Sequence, residues 1–145
     1  MKEIVGELWD YLNKNFTRIC ITTNGDINSR GLAVMGRGCA FEAKKRFPWI
    51  ARDLAQLIEM KGNIFQHVYG NIYAFPVKHH WDEPADLDLI KESAKSLASR
   101  ALEYPLTTFI LPRPGCGNGR LTWEEVKPVI EPILVTDNIW VITKK

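Results

Sequence analysis

Cysteine is scarce: 145 residues hold only Cys20, Cys39 and Cys116. An odd, widely spaced trio makes no disulfide framework and has no metal-ligand spacing, so a reducing cytoplasm is expected and no metal. Excess charge is missing too. The 19 basic residues face 17 acidic ones, a net of +2, which by itself implies neither a nucleic-acid nor a membrane partner. No apolar run approaches the ~18 residues of a membrane span. The opening "MKEIVGELWDYL" lacks the apolar core of a signal peptide. Repeats, low-complexity tracts and linkers are absent, so residues 1–145 are expected to form one domain, and a monomer. What is present is an ordinary globular composition, 46% hydrophobic, enough for a real core.

The apolar pattern alternates in type along the chain. Ile4, Val5, Leu8, Trp9, Leu12 and Phe16 recur at three- and four-residue intervals and predict an N-terminal helix. "RICITT" is a short β-branched strand stopped by Asn24-Gly25. "CAFEAKKRF" reads as a helix, and Pro48 suits the first turn of the next, "WIARDLAQLIEMKG". "IFQHVYG" and "NIYAFPV" are strands joined by a Gly70-Asn71 hairpin. After the polar loop "KHHWDEPAD", residues 87–102 carry apolar positions 90, 94, 97 and 101, a helix. "TTFILP" is a buried-strand pattern, Thr122 and Glu125 form a T-x-x-E capping box, and "NIWVIT" is a last strand. Strands alternating with helices imply an α/β layered fold with a central, mixed, largely parallel sheet. Ligands of such folds sit beyond the carboxyl ends of the strands, where glycine loops lead into helices.

Two such loops are present. In "NGDINSRGLAVMGRG", Gly36 and Gly38 precede a helix whose first N–H groups can face an anion. Alone, one G-x-G is equally a flexible surface loop. "GCGNGRL", which follows a buried strand and precedes a capped helix, has the setting of a phosphate loop. It is not a Walker loop, because no Lys-Ser/Thr follows, and G-C-G-N-G is too tight for a Rossmann fingerprint. A third element, "FPVKHHWDEP", brings Lys78 off a strand end as a solvated cation, a phosphate contact or a nucleophilic amine. The last needs a pKa lowered by burial or a nearby cation. His79 and His80 are adjacent and do not share a metal-binding direction. Trp81 suits either packing or base stacking.

Together the three stretches resemble the macro domain family of ADP-ribose-binding modules, and among them the antitoxin macro domains that remove ADP-ribose from DNA. "VMGRG" before a lysine-rich helix ending in Phe-Pro, "FPVKHHW", and Pro112 through Trp123 match that family's motifs in order. The likeness covers about residues 18 to 142. It implies a three-layer α/β/α domain with ADP-ribose in a cleft at the strand ends and no cofactor. It implies either Asn24 or Asn28 beside the distal ribose, and Gly36 and Gly38, with Val34, Met35 and Arg37, along the distal ribose and diphosphate. Gly115, Cys116, Gly117, Asn118 and Gly119 would wrap the diphosphate, flanked by Pro112 and Arg120. His79, His80 and Trp81 are candidate substrate contacts. Lys78 is the implied catalytic residue, attacking the anomeric carbon of the distal ribose.

The sequence departs from the family in three ways. A helical N-terminus would lack the strand and Gly-Asp pair that meets adenine, and Asp26 is no substitute. The segment "NGDINSRGLA" is long. Gly119 stands where a protein-directed branch has an aspartate, which favours the DNA-directed branch. The resemblance therefore implies an ADP-ribosyl glycohydrolase acting on modified nucleic acid or an acyl group. The alternatives are a non-catalytic ADP-ribose or nucleotide reader and an ADP-ribose 1″-phosphate phosphatase. Arg30, Arg37, Lys44, Lys45 and Arg46 form either a solvated helix face or a phosphate-tracking patch.

Overall fold

The computed structural model describes residues 1–145. Its elements run β1 (Lys2–Val5), β2 (Thr17–Thr23), α1 (Gly38–Arg46), α2 (Ile50–Lys61), β3 (Gln66–Tyr69), β4 (Ile72–Pro76), α3 (Leu87–Glu103), β5 (Thr108–Pro112), α4 (Trp123–Ile130) and β6 (Ile139–Thr143). One six-stranded sheet has the order β1-β6-β5-β2-β4-β3. All its pairs are parallel except β3 with β4, the hairpin. No helix is long and apolar enough to cross a membrane.

Period-two alternation sends the strand side chains into two separate cores. Tyr73, Phe75, Phe109 and Leu111 pack with α3 and α4, around Ile90, Leu97 and Val126. Ile19, Ile21, Ile72, Ala74 and Ile110 pack on the other face with α1 and α2, around Ala43, Ile50 and Leu54. This is the three-layer α/β/α sandwich. Ile19, Cys20 and Ile21 of the central strand β2 are fully buried, as expected for a strand covered on both faces. The capping box forms: Thr122 Oγ1 accepts from the Glu125 amide, and the Thr122 amide donates to Glu125 Oε1 at 3.1 Å.

The N-terminal helix does not form. Lys2–Val5 is instead an edge strand in parallel register with β6, Lys2 opposite Trp140 and Val5 opposite Thr143. The Gly6 amide extends the ladder to Thr143 O at 2.9 Å, and only a 3₁₀ turn follows, Leu8–Tyr11. Two of the six residues on the expected helix face, Val5 and Phe16, are exposed. The pairing joins segments more than 130 residues apart, which local spacing does not encode, and Gly6 disfavours a helix through them. The long segment after β2 closes on itself as a small antiparallel pairing, Ile27 with Ala33.

Candidate functional site

Parallel register brings the carboxyl ends of the strands to one edge: Thr23 lies beside Pro76, and Pro112 beside Ile142. The loops leaving that edge enclose a cavity of about 640 Å³. It spans five strands, from Gly6 and Glu7 after β1 to Lys78 after β4. That is four inter-strand steps, roughly 19 Å.

One wall is the first glycine loop. Asn24 and residues 34–38 line the cavity. Asn24 Nδ2 donates to Val34 O at 3.0 Å and its Oδ1 accepts from the Asp26 amide at 2.9 Å, so Asn24 ties the two ends of the long loop together. No side chain caps the start of α1, which leaves its first amides open toward the cavity. Lys44, Lys45 and Arg46 sit in the last turn of α1, where cations suit the helix dipole. Lys45 lies over the Phe41 ring and Arg46 over the Trp9 ring. Of the basic cluster only Arg37 lines the cavity.

The opposite wall is the second glycine loop, residues 115–119, with Pro112 at its base. Gly38 and Asn118 nearly meet across the cavity, since a Cβ on Gly38 would lie 3.4 Å from Asn118 Nδ2. Gly115 has φ +77, and a Cβ there would stand 2.7 Å from Ile90 Cδ1 and 3.1 Å from Leu121 Cδ1. Gly115→Ala is therefore expected to destabilise the fold by about 2–4 kcal/mol, through left-handed strain plus overpacking; thermal or urea unfolding measures it. Gly119 is also confined. Its carbonyl accepts from the Ala85 amide at 2.9 Å, and a Cβ would sit 3.0 Å from Ala85 Cβ, so a side chain there would crowd Ala85.

Lys78 closes the end beyond β4. It is 9% exposed and its Nζ donates to Trp81 O at 3.3 Å. Burial pushes its pKa below the ordinary 10.5, and the Arg120 and Arg37 guanidiniums push it further, with Asp82 opposing. The two cavity thiols move the other way. Burial raises Cys39 despite hydrogen bonding from Thr22, and burial raises Cys116 despite Arg113. Of Lys78 and these two thiols, only Lys78 is therefore shifted toward its nucleophilic form.

Four expected site residues stand outside the cavity lining. Asn28 occupies the tip of the small hairpin, where its Oδ1 accepts from the Arg30 and Leu32 amides at 2.9 and 3.2 Å. A short acceptor at a tight turn serves its own backbone first. Arg120 takes the left-handed conformation, φ 64, and reaches toward Asp82 O. His79 Nε2 pairs with Asp86 Oδ2 at 2.7 Å, and His80 Nδ1 with Asp26 Oδ1 at 2.8 Å. Asp26 Oδ2 also accepts from the Trp81 amide at 2.7 Å. Both histidines thus brace the lysine loop, while Trp81, 53% exposed, stands at the cavity mouth.

Sequence reasoning missed the far end. Glu7, Trp9 and residues 142–144 line the cavity there. Gly6 and Glu7 directly follow strand β1. The signal was the β-branched "IV" before a glycine, hidden under the helical spacing. Trp9 Nε1 and Thr23 Oγ1 are buried without a partner, and both residues line the cavity.

No family model matches the chain. It is 34% identical over 113 residues to the Thermus aquaticus protein named DNA ADP-ribosyl glycohydrolase, a match spanning 71% of this chain and 31% of that protein. It is 27% identical over 107 residues to the human ADP-ribose glycohydrolase OARD1, spanning 72% of this chain and 70% of that protein. Among solved structures it superimposes on the macrodomain of Thermus aquaticus DarG with a TM-score of 0.74 and 27% identity, covering 99% of this chain and 97% of that one. The chain thus spans under a third of the length of the Thermus glycohydrolase that it matches. With the sandwich, the paired glycine loops and the lysine all in the family's order, the chain belongs to the macro domain family.

Proposed function

We propose that this domain is an ADP-ribosyl glycohydrolase that frees ADP-ribose from a modified nucleic acid, with Lys78 as the nucleophile. The observation that carries the reading is a buried lysine of depressed pKa at one end of a cavity whose middle is built from two glycine loops. A long, thin ligand crosses the strand ends. Its adenine lies toward Glu7 and Trp9, its diphosphate between α1 and the loop 115–119, and its distal ribose beside Asn24 and Lys78. Glu7 takes the part of the family's aspartate. The unpartnered Trp9 Nε1 and Thr23 Oγ1 supply donors that such a ligand satisfies.

The neutral Lys78 amine attacks the anomeric carbon. A nitrogen–carbon bond forms as the bond to the base breaks, the leaving group departing with the electron pair and taking up a proton. Water then attacks the same carbon, and the amine leaves. Trp81 at the mouth offers a face for the departing base. The names of the Thermus and human relatives, both glycohydrolases, support the reaction class.

The test is ADP-ribose release from ADP-ribosylated DNA, followed by chromatography of the freed nucleotide. Turnover is expected, with a KM that rises steeply with salt as phosphate contacts weaken. Tight ADP-ribose binding without turnover on DNA, protein or acyl substrates would select the reader instead.

A further inference from the structure

A second cavity, about 380 Å³, opens at the other end of the sheet. Arg18 stands at the start of β2, Gly70 in the β3–β4 hairpin, and Thr107 just before β5. A strand length, roughly 20 Å, separates this cavity from the lysine cleft. From its lining, we propose that it is an independent site for a phosphate group.

Arg18 and Arg100 line the cavity, His67 lines it with its Nε2 held 2.7 Å from Gly70 O, and no aspartate or glutamate lines it. Neither arginine belongs to any of the protein's seven ion pairs. Glu103, one turn beyond Arg100 on α3, leaves it free. An arginine that exists only for solubility has no reason to be half-buried, yet both are. Arg18 is aimed by hydrogen bonds from Nη1 to Thr17 O at 3.1 Å and Asn71 Oδ1 at 3.3 Å. Arg100 lies against two rings, 5.6 Å from the Tyr73 centroid and 6.0 Å from that of Tyr104, and no protein acceptor receives its N–H groups. Two pre-aimed guanidinium forks with free donors match the oxygens of a phosphate better than they match a single carboxylate. Fixing them in advance removes the entropy loss that weakens most surface anion contacts.

The rim sets who carries the phosphate. Tyr104 is 49% exposed at the cavity edge, whereas Tyr73 is buried beneath it. A planar base attached to the phosphate can stack on Tyr104, and a free phosphate gains nothing from it.

Amide-resolved NMR titration with inorganic phosphate and with adenosine 5′-monophosphate tests the site. Saturable shifts are expected at Gly70, Asn71 and Thr107, distinct from any at the cleft amides 36–38 and 115–119. Arg100→Gln and Arg18→Gln should each weaken the binding seen at those amides by about tenfold or more. Arg100→Lys should not restore it, because an ammonium lacks the fork. The sources separate cleanly. A nucleotide ligand binds more tightly than phosphate and loses that advantage in Tyr104→Ala; a free-phosphate site binds both alike in either background. The two arginines lie on different elements, so one folding failure leaves the other variant to decide. Absence of saturable shifts at the three amides with both probes, or unchanged affinity in a folded arginine variant, overturns the proposal.

Discussion

Lys78→Ala is expected to cut ADP-ribose release from ADP-ribosylated DNA by about a thousandfold or more, while ADP-ribose binding changes little. A nucleophile contributes to the reaction's transition state and not to ground-state grip, so kcat carries the loss. Lys78→Arg should be equally inactive, since a guanidinium does not deprotonate at working pH. The pH profile is a second signature. Activity should rise with pH as the amine loses its proton, with a midpoint below 10.5, because burial, Arg120 and Arg37 all disfavour the charged form. Near-wild-type turnover in Lys78→Ala, measured by chromatography of released ADP-ribose, removes the lysine mechanism. The same depression has a stability consequence. Between the lowered folded pKa and 10.5 the unfolded chain holds more protons than the folded one, so stability rises with pH across that window. At neutral pH the buried lysine is thus a destabilising residue. Lys78→Met, which keeps the length and removes the charge, should raise Tm, with about 2–4 °C for each kcal/mol gained. Inactive yet more stable is a combination that a merely structural lysine does not produce.

The middle of the chain was legible because its signals are local. The β2 and β5 strands, the β3–β4 hairpin, the capping box at Thr122 and the glycine loops each depend on residues within one turn or one strand. The cavity's central walls followed from them, since loops after adjacent parallel strands must share an edge. The N-terminus was misread because Ile4, Val5, Leu8 and Leu12 satisfy helical spacing and strand preference at once. Only β6, at the other end of the chain, decides between them. With that strand in place, Gly6 and Glu7 fall beside the cavity. Asn28 stands outside the cavity lining for a different reason. Both asparagines suited a ribose contact by type, but Asn28 is spent on its own turn. The partners of the Asp26 carboxylate lie 54 and 55 residues away, beyond the reach of spacing arguments.

Those partners make Asp26 the second residue with a large expected effect. Its Oδ2 holds the Trp81 amide, and the Trp81 carbonyl in turn accepts from Lys78 Nζ. Asp26 therefore positions the Lys78 amine, the proposed nucleophile, through one residue. Losing this brace lets the amine drift by an ångström or so, and Asp26→Ala should lower kcat by about 10–100-fold with little change in KM. The brace has its own pH window. Burial works to raise the Asp26 pKa, but hydrogen bonds from His80 and Trp81 and the His80 charge hold it below 3.8. The hydrogen bond and charge of Asp26 raise His80 above 6.5, with Glu83 and Asp82 adding to the effect. The ion pair is thus complete between about 3.8 and 6.5. It is lost as pH falls through the lowered Asp26 value and as pH rises through the raised His80 value. The Trp81 bond does not titrate with His80, so on the alkaline side half of the brace persists and the lysine stays placed where its amine is neutral. NMR titration of the His80 ring reads this directly. In Asp26→Asn its pKa should drop toward 6.5, and the Trp81 amide should exchange faster with solvent. An unmoved His80 titration in that variant, with kcat intact, would mean that the loop is held by its other contacts alone, from Asn63 Nδ2 to Lys78 O and from the Gly25 amide to His79 O.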